Sequence, residues 1–308
     1  MILSYYEIKS TMTTSNKNIV IASAIVLLIA VGIITISSIK DVQAEDELII
    51  DPVCINAISE YVCNIPVGAI TAKALIPDLR EAVPQQIGLQ NSHQKTTLRI
   101  STSIANTGEG QWQMRAGIPA TPSEPQLALQ QLLKSDGSLW NEYTVSQFQY
   151  HPAHKHFHIA AVTSYELYSA DGPNDTYPNP EDKTTASAEK VTSCLIDWVK
   201  ISDNSPDNER AYASCDGQFQ GVSPGWMDQY RHSIPGQELD VTNIDSGYYF
   251  VVLTANPAQN FIETDFTNNQ AWLLIYYNND DKGNPKFTVI NHSECADYPG
   301  LCEYSPNR

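Results

Sequence analysis

The 308-residue sequence predicts a mainly β domain of sandwich type, set behind a single N-terminal transmembrane helix. Three observations carry this. Short β-prone runs alternate with turn signals through most of the chain. An uncharged, almost entirely apolar stretch occupies residues 19–39. Six cysteines accompany it, as in exported chains that form disulfides.

At about 1.5 Å per residue, a helix from Ile19 to Ile39 spans a hydrocarbon core of ~30 Å. Lys9 and Lys17 precede it and keep residues 1–18 cytoplasmic, which places the rest of the chain outside. The stretch exceeds the apolar core of about 7–15 residues found in signal peptides, so an uncleaved anchor is favoured. The small-residue site ending at Ala44 makes a secreted form the alternative. Residues 40–72 follow as a linker that holds Cys54 and Cys63.

From Lys73 the chain reads as β. Thr97–Ala105 alternates apolar and polar residues and runs into Asn106-Thr-Gly108, a strand followed by a turn. Leu127–Lys134 reads as a short helix. Phe148–Ala161 is a strand rich in histidine, and Thr163–Ser169 is another. Asp171–Glu181 is a loop rich in Pro, Asn and Asp. Tyr248–Thr254 and Ala271–Tyr277 are strongly β-prone. These elements give a domain over residues 73–280, with 281–308 as a polar tail holding Cys295 and Cys302.

Formal net charge is −17, which makes nucleic acid and anionic membrane surfaces poor partners. The same charge attracts cationic substrates such as amines, but solubility alone explains many acidic chains. Six cysteines allow 15 pairings. Cys54/Cys63 and Cys295/Cys302 form short local pairs, which leaves Cys194 and Cys215.

Four of the seven histidines fall in His151-Pro-Ala-His154-Lys-His156-Phe-His158. Side chains at alternate positions of a strand share a face. His154, His156 and His158 are therefore expected to project three imidazoles toward one point as a metal site. Neutral imidazole is the commonest metal ligand, and copper binds nitrogen more tightly than its first-row neighbours. Spacing alone does not separate copper from zinc. Three ligands leave positions open for chemistry. His151, three residues before His154, falls on the opposite face of a regular strand and is left out. The plainer alternative is a chance cluster on a solvated strand.

These motifs together resemble the lysyl oxidase family, copper amine oxidases that carry a lysine tyrosylquinone. The match runs from the histidine segment through Tyr165-Glu-Leu167, Lys190-Val-Thr-Ser-Cys194-Leu, Cys215, and Gly221-Val-Ser-Pro-Gly-Trp-Met-Asp-Gln-Tyr230. It continues through Leu239-Asp-Val-Thr, Asp245-Ser-Gly-Tyr-Tyr249, Asn256-Pro257 and Glu263-Thr-Asp-Phe-Thr-Asn-Asn269. Order and spacing across roughly two-thirds of the chain carry the resemblance.

The resemblance implies copper on His154, His156 and His158. It implies a quinone cofactor built from Lys190, four residues before Cys194, and Tyr230. It supports a Cys194–Cys215 disulfide. It also implies a calcium site on Asp78, the Leu79 carbonyl, Glu263, Asp265, Asn268 and Asn269. Those types suit a hard cation that takes six to eight oxygens; an Asx-rich turn is the plainer reading. The implied reaction converts a primary amine, small or a protein lysine, to an aldehyde, with O2 reduced to hydrogen peroxide and ammonia released. This sequence departs from animal members in having Glu189 before the lysine, not histidine. It also has Ser164 and Tyr165 where they carry a further histidine. A base assigned to those histidines does not transfer, and the sequence does not identify the base; an aspartate near the cofactor tyrosine, such as Asp228, is a candidate. Rival readings are a non-catalytic extracellular metal-binding module, a zinc hydrolase and an adhesion domain. The zinc hydrolase lacks an acid within the histidine run, and Lys190 with Tyr230 separates the oxidase from the others.

Overall fold

The computed structural model describes residues 73–92, 95–179, 184–188, 192–201, 209–294 and 301. The apolar stretch 19–39, the outer cysteines Cys54, Cys63, Cys295 and Cys302, and Lys190 lie outside them. Among the described residues no helix is long and apolar enough to cross a membrane.

The two strongest β runs form the centre of a five-stranded antiparallel sheet. Its order is β10 (Thr184–Ala188), β9 (Thr163–Ala170), β15 (Gly247–Ala255), β16 (Gln270–Asn279) and β17 (Pro285–His292). Alternation explains the position of β15. Tyr249, Val251 and Leu253 point into the main core, while Phe250 and Val252 face Trp272 and Leu274 on the other side. Strand β17 lies within the stretch expected to be a polar tail. Its Phe287 and Val289 pack on the core at every second position, and Pro285 starts the strand at the sheet edge, where a missing N–H is tolerated.

A three-stranded sheet, β14 (Glu238–Asp240), β3 (Lys95–Ile100) and β2 (Ile87–Ser92), contributes to the same core through Leu98, Ile100 and Leu239. The expected single strand over Thr97–Ala105 is two strands. Strand β4 (Thr102–Asn106) belongs to a different sheet, ordered β1 (Leu79–Glu81), β4, β13 (Trp226–Tyr230) and β11 (Val199–Lys200). Ser101 makes the switch. Its N–H donates to the Gln86 carbonyl, and its hydroxyl accepts from the Gln86 N–H, both at 2.8 Å.

The fourth sheet is β12 (Phe219–Val222), β5 (Trp112–Ala116), β6 (Gln126–Leu133), β7 (Leu139–His151) and β8 (His156–Ile159). Strand β6 occupies the run read as a helix. Leu, Ala and Gln are good helix formers, but packing overrides that preference. Ala128, Gln130 and Leu132 are fully buried at alternate positions. Gln130 spends both ends of its amide on Ile262, accepting from its N–H and donating to its carbonyl at 2.8 Å each.

Candidate metal centre

Strand β7 ends at His151, residues 152–155 turn, and β8 starts at His156, which pairs with His151. Lys155 adopts a left-handed φ of 59°, and its N–H closes the turn on the His151 carbonyl at 2.8 Å. The three histidines therefore do not alternate along one strand. His156 and His158 share a face of β8, and His154 reaches them from the turn. They still converge. His158 Nε2 lies 3.0 Å from His156 Nε2 and 3.2 Å from His154 Nδ1. The turn also brings His151 onto the same side, contrary to the strand expectation. Its ring centroid is 4.2 Å from His154 and 4.8 Å from His158.

The donor set consists of three imidazole nitrogens within 4.8 Å of one another. Metal–imidazole bonds of about 2.0–2.1 Å bring neighbouring ligand nitrogens to this kind of spacing. Imidazole suits copper, zinc, iron and nickel, so the residues fit copper without excluding the others.

A second layer lies behind His158, which is 1% exposed. His158 Nδ1 is 3.1 Å from Thr192 Oγ1. Ser193 pairs with Ile159 through both backbone groups, at 2.7 and 3.0 Å. Cys194 is bonded to Cys215, with Cα atoms 5.4 Å apart. The Cys215 carbonyl accepts the Phe157 N–H at 3.0 Å, so the bridged loop flanks β8 between two of the histidines.

Tyr230 closes this layer. Strand β13 starts from a turn in which Trp226 N–H donates to the Ser223 carbonyl, with Pro224 second and Gly225 third at φ 76°. That is the arrangement of a type II turn, which needs a positive φ at its third residue. Asp197 anchors the turn by accepting the Ser223 N–H and hydroxyl, at 2.7 and 2.8 Å. The Tyr230 hydroxyl accepts the Cys194 N–H at 2.6 Å and donates to the Cys194 carbonyl at 3.2 Å. Its ring centroid is 6.4 Å from that of His158. Burial holds the phenol pKa well above its usual value, and the Asp228 charge adds to the shift.

The residues implied for calcium form a hydrogen-bonded knot joining β1 to the β15–β16 connection. Asp78 accepts from Thr107, Thr264, Asn268 and Arg80. Glu263 accepts the Leu79 N–H at 2.9 Å, and amide protons of Asn256 and Asn269 at 2.6 and 2.7 Å. Burial pushes its carboxyl up to about 7. Asp265 instead turns to Thr267, accepting its N–H and hydroxyl.

Two residues escaped sequence reasoning. Thr192 sits inside a quoted motif, but its partner is 34 residues away. Glu81 is buried on β1 with one oxygen on the Thr163 hydroxyl, and burial pushes its carboxyl up to about 8. The Arg80-Glu81 pair between apolar Leu79 and Ala82-Val83 reads as an exposed charged turn, so the sequence carried no signal for the burial of Glu81.

The fold and site define a β protein with a three-histidine cluster of metal-ligand type, backed by a disulfide whose first cysteine clasps a buried tyrosine. The lysyl oxidase family model matches residues 130–286, and the chain belongs to that family. It is 34% identical over 121 residues to lysyl oxidase homolog 2 of Xenopus tropicalis, covering 39% of this chain and 14% of that protein. Against human lysyl oxidase homolog 4 it is 29% identical over 174 residues, covering 56% and 18%. Against human lysyl oxidase homolog 1 it is 31% identical over 131 residues, covering 42% and 20%. The matched stretch is thus a fifth or less of each of these relatives.

Proposed function

We propose that this domain oxidises primary amines to aldehydes at the expense of O2, with release of hydrogen peroxide and ammonia. In this reading His154, His156 and His158 hold copper, and Lys190 and Tyr230 form lysine tyrosylquinone. That cofactor supplies a two-electron acceptor that side chains alone lack. The observation that carries the reading is the Tyr230 clasp. The phenol sits beside His158 and is bonded to the backbone of Cys194, four residues after Lys190. Buried Asp228 stands two residues before Tyr230 on the same strand, and its charge raises the phenol pKa. Asp228 serves as the base in this reading.

The test is a mass measurement. Copper-loaded, aerated protein should react with a hydrazine, and its digest should contain one cross-linked peptide pair joining Lys190 and Tyr230. One observation favours a second reading, a non-catalytic extracellular metal-binding module: the Tyr230 hydroxyl is buried with both hydrogen bonds made. Copper-loaded protein without the cross-link establishes that second reading.

Two further proposals accompany the first. Calcium binds at Asp78, the Leu79 carbonyl, Glu263, Asp265, Asn268 and Asn269; Asn268 Oδ1 and Asn269 Oδ1, buried and without a hydrogen-bond donor, support it. A calcium-dependent rise in melting temperature that Asp78→Asn abolishes is the check. The domain acts outside the cytoplasm, anchored through residues 19–39 or secreted after cleavage near Ala44. The Cys194–Cys215 bridge supports an oxidising compartment.

A further inference from the structure

We propose that Thr192 is a positioning residue for the metal centre. Its hydroxyl accepts the Nδ1 proton of His158 and so fixes the tautomer that presents Nε2 to the metal. The inference rests on the reading of the three histidines as a metal site.

The argument starts from the two nitrogens of one ring. His158 Nε2 faces the other ligand atoms, 3.0 Å from His156 Nε2 and 3.2 Å from His154 Nδ1. A ligating imidazole is neutral and carries a single ring proton, so a lone pair at Nε2 requires the proton at Nδ1. Nδ1 points away from the cluster, to Thr192 Oγ1 at 3.1 Å. The hydroxyl is then the acceptor of that contact. Burial of His158 leaves little room for solvent to take over.

The backbone holds Thr192 in place. Its neighbour Ser193 is locked to Ile159, the residue after His158, by two hydrogen bonds. Cys194, the next residue, carries both the disulfide and the Tyr230 clasp. Threonine is also stiff at χ1, so the acceptor is preset rather than recruited. Three consecutive residues thereby address the metal ligand, the strand that bears it, and the phenol. Groups that orient a metal-bound histidine typically change metal affinity about 10–100-fold when removed.

The test uses the full chain prepared metal-free. Thr192→Val keeps the branched shape and removes the acceptor; Thr192→Ser keeps the acceptor. Copper(II) affinity is measured by chelator competition, and the copper(II) paramagnetic resonance spectrum is recorded for each. Thr192→Val should bind copper about 10–100-fold more weakly, with a shifted spectrum, while Thr192→Ser stays close to wild type. Nitrogen chemical shifts of the His158 ring in the metal-free wild type should report a proton on Nδ1. This second measurement does not depend on the folding of any variant. Wild-type affinity and spectrum in Thr192→Val, or a proton on Nε2 in the wild type, would overturn the assignment while leaving the metal reading intact. Stoichiometric copper retained when all three histidines are alanine would sink the metal reading, and this inference with it.

Discussion

The Tyr230 hydroxyl is held by both backbone groups of Cys194, accepting from its N–H at 2.6 Å and donating to its carbonyl at 3.2 Å. A phenol needs a partner once buried, and here that partner is the main chain of a bridged cysteine. The position of the phenol therefore depends on the disulfide.

Replacing Tyr230 with Phe removes the phenol oxygen and strands the Cys194 N–H in the interior. The cost should be about 1–3 kcal/mol in urea unfolding, as for a buried donor left unsatisfied. Copper content should be unchanged, and amine-dependent peroxide release should vanish. Peroxide release at the wild-type rate would end the quinone reading.

The disulfide itself makes a second expectation. Non-reducing peptide mapping should recover Cys194 linked to Cys215. The double variant Cys194→Ser, Cys215→Ser should lose about 2–4 kcal/mol of stability. Recovery of either residue paired with Cys54 or Cys302 contradicts the fold described above.

For the histidines, His156→Ala and His158→Ala should each sharply lower copper content in metal analysis of dialysed protein. His151→Ala should lower it far less, because His151 stacks on the cluster without belonging to the ligand set. Equal losses at all three positions would place His151 among the ligands.

Glu81 gives a dependence on pH. Burial pushes its carboxyl up to about 8, against an ordinary value of 4.5. Between those values the folded state keeps a proton that the unfolded chain has released. Stability therefore falls as pH rises through that window, by at most about 1.4 kcal/mol per pH unit per group, and levels off above it. Glu81→Gln keeps the shape and removes the titration. It should flatten the decline, though not abolish it, since Glu263, raised to about 7, contributes in the same direction. Identical slopes for variant and wild type would show that Glu81 is ionised in the native state.

What the sequence discloses follows the range of the contacts involved. Strands β15 and β16 were legible because their apolar alternation is local and faces buried surface on both sides. The histidine cluster was legible for the same reason, its ligands lying within five residues. The path taken by the chain there was not, because the left-handed turn at Lys155 carries no glycine to announce it. Leu127–Lys134 misled because helix formers sat where alternate burial decides. Strand β17 misled because an edge strand with one packed face reads as polar. The break at Ser101 and the contacts of Thr192 and Glu81 depend on residues 15, 34 and 82 positions away. No local pattern encodes those.

The hairpin between β7 and β8 also bears on the order of assembly. Its ligands meet across a few residues, a closure that costs little chain entropy. The clasp on Tyr230 joins groups 36 residues apart and waits for two sheets to form. Local contacts form ahead of distant ones in most chains. If the histidines hold copper, a nascent hairpin can thus capture it before the phenol arrives, so that oxidation of Tyr230 begins only after β13 has paired with β4. Pulsed addition of a copper chelator during refolding should lose its effect earlier than the Tyr230 environment, followed by ultraviolet absorbance, reaches its native state.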